Sequence, residues 1–288
     1  SWGWSDVADL NYDNQALRKE MTSDMLHWVK NENIDGFRCD VASNVPLDFW
    51  QQAIPQLRRE KNIFMLAEAW EPELLKDGLF DMAYGWEAHH TMNRIAQGKN
   101  TVKDWDKFMA EDAKKYEAND ILMNFVDNHD ENSWNGTIKG RLGKGEEAMT
   151  ALSYVMPGMP LIYSGNEYGL NHSLKFFEKD SIPKTKGKDW ELRAKLGKLK
   201  TENTALNGGK NRAKYTRIKT DDDTNILAFT REKNGKKVVY IANFSNNPIN
   251  TKVDITGEFT NYMTGKIMGM NEKQMFSMKP WQYYILME

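Results

Sequence analysis

Three carboxylates stand at or near the ends of strand-like runs: Asp40 after Gly36-Phe37-Arg38-Cys39, Glu68 within Leu66-Ala67-Glu68-Ala69-Trp70, and Asp130 within Asn128-His129-Asp130. Acids placed this way suit cleavage of a glycosidic bond. One carboxyl group stays protonated as an acid and another stays ionised as a nucleophile or base, around an oxocarbenium-like transition state. A third would help to hold the sugar. A lone acid at a strand end is more often a helix cap or a surface salt-bridge partner. Here all three follow apolar segments, and a stretch that reads as a complete helix separates the first two. In a barrel of parallel strands the C-terminal strand ends share one mouth, so acids distant in sequence can converge there.

The elements that would position these acids follow a regular rhythm. Asp13 or Asn14 caps a helix with the apolar stripe Leu17, Met21, Met25 and Val29, which leads into a strand over Ile34 to Arg38. Pro46 suits the first position of a second helix, where Leu47, Trp50, Ile54 and Leu57 recur at helical spacing before a strand over Ile63 to Ala67. Strand, helix and strand at this spacing form a βαβ unit, so the two strands are expected to be parallel. Further strands are expected over Phe80 to Tyr84, Ile121 to Val126 and Met159 to Tyr163, with helices near Thr101 to Tyr116, Glu146 to Val155 and Trp190 to Glu202.

With these elements in place, the chain resembles the α-amylase family of glycoside hydrolases, retaining α-glucan enzymes built on a (β/α)8 barrel. The matching segments are Ala8-Asp9-Leu10-Asn11, Gly36 to Ala42, the Glu68 segment, Phe125-Val126-Asp127-Asn128-His129-Asp130 and Gly158 to Glu167. The resemblance implies that Asp40 is the nucleophile, Glu68 the general acid and then base, and Asp130 a stabiliser of the transition state. It also implies that Arg38 keeps Asp40 ionised and that His129 contacts the same sugar. Physical chemistry agrees: an Arg two residues before Asp40 on a strand shares its face and favours the charged carboxylate. Glu68 calls for the opposite influence, which an apolar neighbour such as Trp70 would supply. A retaining mechanism wants the two working carboxyl groups about 5–5.5 Å apart.

The sequence departs from the family in two places. Many α-amylases carry Lys-His three and four residues after the nucleophile, where this chain has Ser43 and Asn44. The stretch Asp40 to Val45 is closer to members acting on pullulan, cyclodextrins and short maltooligosaccharides. The family's third barrel strand also brings an Asp and an Asn-His pair, and Ser1 begins only just ahead of Ala8 to Asn11. The chain therefore reads as the C-terminal portion of a larger enzyme: a partial (β/α)8 barrel over residues 1–208, strands four to eight, and a C-terminal antiparallel β-sandwich over 209–288. An open parallel sheet exposes its edges, so a dimer or an N-terminal segment is expected to complete the barrel, and the portion alone is expected to be inactive.

The β-sandwich reading rests on short alternating runs after Lys210: Ile226 to Thr230, Lys237 to Asn243, Lys252 to Ile255 and Trp281 to Leu286. Asn234-Gly235 marks a tight hairpin. Formal charge is −2, from 39 basic and 41 acidic residues, with no basic run dense enough for nucleic acid. No apolar run reaches the ~18 residues of a membrane span. Ser1-Trp2-Gly3-Trp4 is not a signal peptide, which leaves secretion open.

The single cysteine, Cys39, excludes an internal disulfide and reads as a packing thiol. His89-His90 diverge on a helix, which disfavours a metal pair and points to a capping or surface role. No cofactor is required; the resemblance allows calcium in the complete enzyme. Trp70, Tyr84, Trp86 and Trp134 fall at strand ends, and Trp70 and Trp134, beside the catalytic motifs, are substrate-binding candidates. Three other functions fit less well. A transglycosylase would use the same residues with a sugar hydroxyl as acceptor, and a non-catalytic carbohydrate-binding remnant would not need them intact. A metal-dependent barrel hydrolase would want His pairs near strand ends, where only His129 is found.

Overall fold

The computed structural model describes residues 3, 5, 7–271 and 274–288, so Ser1, Trp2 and Trp4 of the opening lie outside the described residues. The chain divides into two compact units, Ser1–Tyr84 and Gly85–Glu288.

In the first unit, helix α1 (Gln15–Lys30) starts at Asn14, whose side chain accepts from the backbone of Ala16 and Leu17. Strand β1 (Gly36–Cys39), helix α2 (Leu47–Glu60), strand β2 (Phe64–Ala67) and strand β3 (Met82–Tyr84) follow. The expected βαβ unit is present. β1 pairs parallel with β2, setting Arg38 against Leu66 and Cys39 against Ala67, and β2 pairs parallel with β3. Pro46 sits at the N-cap of α2, whose apolar face buries Phe49, Trp50, Ala53, Ile54 and Leu57. Trp50 packs edge-on against Phe49 and Phe80, with ring centres 5.2 Å apart in each case.

Close approach of β1 and β2 depends on one glycine. A Cβ at Gly36 would stand 1.9 Å from the Phe64 carbonyl oxygen, a separation that no side chain tolerates.

The second unit begins with helices α3 (Trp86–Ala96) and α4 (Val102–Lys115) and strand β4 (Leu122–Asn124). Short helices α5 (His129–Trp134) and α6 (Ile138–Leu142), helix α7 (Glu146–Val155), strand β5 (Met159–Pro160) and helix α8 (Lys188–Glu202) complete its helical part. β4 and β5 are parallel. Thr101 and Asp104 form a reciprocal capping box at the start of α4.

After α8 the strands turn antiparallel. They are β6 (Lys214–Arg217), β7 (Ile226–Lys233), β8 (Lys236–Asn243), β9 (Ile249–Thr251), β10 (Gly257–Asn261), β11 (Ile267–Met270), β12 (Phe276–Met278) and β13 (Tyr283–Met287). Six of them form a sheet in the order β11-β10-β13-β8-β7-β6, and β12 pairs with β9 in a separate ribbon. Alternation along β8 explains the arrangement: Val238, Tyr240 and Ala242 join the core of the helices, while Val239 and Ile241 join a second core with Phe276 and Met278. The hairpin at Asn234-Gly235 has φ values of 53° and 73°, the left-handed pair that Asn-Gly supplies cheaply. The strand expected over Lys252 to Ile255 is corrected. The Ile255 N–H closes a tight turn on the Val253 carbonyl, and only Val253 makes an isolated bridge, with Thr220. Among the described residues no helix is long and apolar enough to cross a membrane.

A cavity of about 850 Å³ in this unit is lined by residues that include Phe108, Met109, Asp112, Tyr215 and Arg231. Burial pushes the Asp112 carboxyl up from 3.8 to about 7, against the pull of Lys115. The unfolded chain therefore releases this proton first, and stability drains away as pH rises through the interval between those values.

Two predictions follow from this packing. Gly36→Ala is expected to lose about 2–3 kcal/mol, whereas Gly197→Ala, inside α8 with open space around it, is expected to gain up to about 1 kcal/mol; denaturant midpoints of both variants check this. Asp112→Asn is expected to stabilise by about 2 kcal/mol at pH 8 and to give no gain at pH 3, read from urea unfolding at each pH.

Candidate active site

The parallel register brings the first two predicted acids together. Beyond the last paired residues, the Glu68 N–H donates to the Cys39 carbonyl at 3.0 Å, and the Ala42 N–H donates to the Glu68 carbonyl at 3.1 Å. The Trp50 indole N–H of α2 donates to the Ala42 carbonyl at 3.0 Å, so the chain after Asp40 is held from both sides. Between them Val41 takes a left-handed conformation, φ 43° and ψ 47°. That is costly for a β-branched residue and is the kind of strain that clusters at functional sites. It aims the Val41 N–H at Glu68 Oε2, 2.8 Å away.

Arg38 occupies the centre of this group. Its Nη1 donates to Asp40 Oδ1. Its Nη2 forms an ion pair of 2.9 Å with Glu68 Oε1. Its Nε donates to the Tyr84 hydroxyl at 3.0 Å, and the guanidinium lies 5.5 Å from the Tyr84 ring centre. Burial works against the Arg38 charge, but Tyr84, Asp40 and Glu68 together raise its pKa above the ordinary arginine value. One cation thus serves two carboxylates of different exposure, with 74% of the Asp40 side chain accessible against 14% for Glu68. The Glu68 carboxyl oxygens meet Arg38 and the Val41 N–H.

Cys39 on the same strand is half-buried, and burial pushes its thiol up to about 12 while Arg38 pulls the other way. A thiol in that range is protonated at neutral pH and is no nucleophile.

In the second unit, α5 begins directly after Asp127-Asn128. The Asn128 side chain caps it by accepting from the Glu131 N–H at 2.8 Å. This leaves His129 and Asp130 in the first turn, partly exposed, with His129 Nε2 3.4 Å from Asp130 Oδ2. Beneath them runs a buried polar network. Arg141 pairs with Asp127 at 2.7 Å and donates to the Val126 carbonyl at 3.0 Å. The Asn166 side chain donates to Asp127 at 3.2 Å. His89 has Nδ1 3.0 Å from the Phe125 carbonyl, so that nitrogen carries a proton, and Nε2 lies 3.1 Å from Glu131 Oε2.

Burial pushes the Asp127 carboxyl up, countered by Arg141. Burial also opposes the charge on Glu131, but His89, Asn135 and Arg141 bring its pKa below the usual carboxylate value. Tyr163, just past β5, is raised by burial and then by the negative charges of Asp127 and Asp130.

Sequence reasoning missed Tyr84 as the clamp on Arg38, and it missed the layer of His89, Glu131, Arg141 and Asn166. Asp127 carried the available signal, since an acid at the end of a buried strand requires a buried donor. The capping or surface role expected for His89 is corrected, because its ring is buried and ordered by Phe125 and Glu131. Tyr84 is buried at Arg38, and Trp86 packs edge-on to Phe125 at 5.0 Å. Trp70 and Trp134 are the exposed members of the aromatic set. Among the described residues no three His, Cys, Asp or Glu side chains cluster as metal ligands.

Comparison with known proteins places this geometry in a family. Residues 2–246 match the model of the alpha-amylase catalytic domain. The chain belongs to the alpha-amylase family. Similar curated proteins include an intracellular maltogenic amylase of Bacillus subtilis (strain 168), 26% identical over 262 residues, covering 84% of this chain and 42% of that protein. A 4-alpha-glucanotransferase of Thermotoga maritima is 28% identical over 175 residues, covering 56% of this chain and 37% of that protein. The crystal structure of a noncanonic maltogenic alpha-amylase, AmyB from Thermotoga neapolitana, matches with a TM-score of 0.87 at 24% identity, covering 99% of this chain and 68% of that one. The chain spans about two fifths of the length of the curated relatives it matches. The alpha-amylase family member thus has the expected parallel strands followed by an antiparallel sheet, and the expected nearness to cyclodextrin- and maltooligosaccharide-type members agrees with similar curated proteins that include a maltogenic amylase and a cyclomaltodextrinase.

The buried layer yields a prediction. Arg141→Met leaves Asp127 and Glu131 without their shared cation and is expected to cost about 3–5 kcal/mol at pH 7. The deficit is expected to shrink toward pH 4 as Asp127 takes up a proton, which unfolding titrations at the two pH values measure.

Proposed function

We propose that the protein is a retaining glycosidase acting on α-1,4-linked glucans or maltooligosaccharides. The observation that carries the reading is the single guanidinium of Arg38 shared by Asp40 and Glu68, acids held side by side by strand register in a chain of the alpha-amylase family.

Asp40 attacks the anomeric carbon and forms a glucosyl ester while Glu68, which takes up a proton and leaves its ion pair with Arg38 when substrate binds, delivers that proton to the departing glycosidic oxygen. Glu68, now ionised, takes a proton from water, which displaces Asp40 and releases the sugar with its original anomeric configuration. Arg38 donates to Asp40 before attack and again as it departs, and Tyr84 fixes the guanidinium between the two acids. Asp130 and His129 bind hydroxyls of the glucosyl unit and strengthen those contacts as positive charge develops. Trp70 and Trp134 offer flat faces for neighbouring units.

Transfer to a sugar hydroxyl uses the same steps with a different acceptor, and the similarity to a 4-alpha-glucanotransferase favours keeping that second reading. Product analysis at high acceptor concentration separates the two.

In the full-length protein, Asp40→Ala is expected to reduce turnover of a maltooligosaccharide with a chromogenic leaving group by at least about 10⁴-fold, while Cys39→Ala stays within about threefold. The opposite ranking in a steady-state assay would remove Asp40 from its role.

A further inference from the structure

Arg231, in the middle of β7, carries a charge with 0% of its surface exposed. Its Nη1 donates to the Val155 carbonyl at the end of α7 at 3.0 Å, and its Nη2 donates to the Asn207 and Ala213 carbonyls at 3.1 and 3.4 Å. A helix end offers a partial negative charge, not a full one. Burial brings the Arg231 pKa down to about 10; Tyr215 opposes this, Arg212 adds to it, and no acid takes part. An ionised group at this depth ordinarily has a counter-charge. One of its donors, Nε, also has no acceptor.

A second donor stands beside it. Tyr215 is the direct partner of Arg231 in the β6–β7 register. Burial pushes its phenol up to about 12, against the pull of the Trp105 indole N–H, so the hydroxyl keeps its proton. That buried hydroxyl has no acceptor either.

Both residues line the cavity of about 850 Å³ described above, whose other walls include Phe108, Met109 and Ala113 of α4, Leu122 and Met156. Exposed Arg212 and Lys214 add positive charge to its lining. Of the acids there, Asp106 and Asp223 are paired with Arg217 at 2.8 and 3.2 Å, and Asp112 is held protonated up to about 7. All the walls belong to the second unit. Further chain packed outside it would bury Arg231 no deeper.

Two buried donors and an uncompensated cation at one wall, with apolar side chains on the others, describe an occupant with two ends. A water would accept the two protons and leave the charge uncompensated. A phosphate would bring more oxygens than the two free donors serve. A carboxylate matches both the charge and the donor count, and a hydrocarbon tail matches the remaining walls.

We infer that this cavity binds a monocarboxylate with an apolar tail, its carboxylate accepting from Arg231 Nε and the Tyr215 hydroxyl and its tail lying along α4. The site shares no residue with the candidate active site and stands or falls apart from the glucan reading.

The test is calorimetric titration of the full-length protein with octanoate, octanol and acetate, just below the Asp112 value of about 7. Octanoate is expected to bind one site at least about tenfold more tightly than octanol, which lacks the charge. It is expected to bind at least about a hundredfold more tightly than acetate, which lacks the tail. Tyr215→Phe keeps the ring and removes one donor, and is expected to weaken octanoate about three- to tenfold with a smaller change for octanol. Ala113→Trp fills the cavity from an exposed helix position and is expected to weaken octanoate and octanol alike, by at least about tenfold. Equal affinity for octanoate and octanol would overturn the inference, since the cavity would then hold no anion site. Octanoate binding that neither variant changes would place the ligand elsewhere and overturn it too, as would the absence of octanoate binding.

Discussion

The parallel register that sets Cys39 against Ala67 decides what chemistry the first unit can perform. Asp40 and Glu68 follow those partners directly, and Arg38, two residues before Asp40, lies on the same face. A slip of one residue would turn every side chain of β1 to the other face and separate the guanidinium from both acids. Gly36 enforces the register, because its missing Cβ lets the Phe64 carbonyl come close. Tyr84, at the end of β3, then holds Arg38 from a third strand. The strained Val41 that follows Asp40 belongs to the same arrangement, since its N–H helps to hold Glu68. Local strain is tolerated here because Ala42 is anchored by both Glu68 and Trp50.

In the second unit, buried acids hold structure and exposed acids face solvent. Asp127 and Glu131 are buried and share Arg141, with Asn166 and His89 satisfying further oxygens. Ionised groups at such depth survive only when paired and hydrogen-bonded. Their reward is a fixed start for α5, from which His129 and Asp130 project. The first unit repeats the division in smaller form, with Glu68 partly enclosed and Asp40 open.

Much of this was legible in the sequence, for identifiable reasons. Helical spacing of Trp50, Ile54 and Leu57 located α2, and the run Glu146 to Val155 matched α7 at both ends. Parallel strands were found by their apolar runs, although β4 and β5 are shorter than expected because pairing stops before the apolar stretch does. Asn234-Gly235 gave the β7–β8 hairpin through turn chemistry. What stayed hidden was pairing at a distance. Tyr84 lies 46 positions from Arg38, and Arg141 lies 14 from Asp127, and no periodicity links either pair. Strands β6, β9, β10, β11 and β12 were missed because each is only three to five residues long, too short for the alternation that identified β8.

The central claim is that Asp40, hydrogen-bonded to Arg38, becomes covalently bonded to the sugar. Incubating the full-length protein with a fluorinated glucosyl fluoride, which slows hydrolysis of the ester, and mapping the modified peptide by mass spectrometry tests it most directly. The account predicts one added fluoroglucosyl group on Asp40, with the anomeric fluoride as leaving group, and a yield greatly reduced in Arg38→Lys. A label on Glu68 or Asp130 would contradict the assignment, and hydrolysis with no trapped ester under any condition would contradict the retaining mechanism.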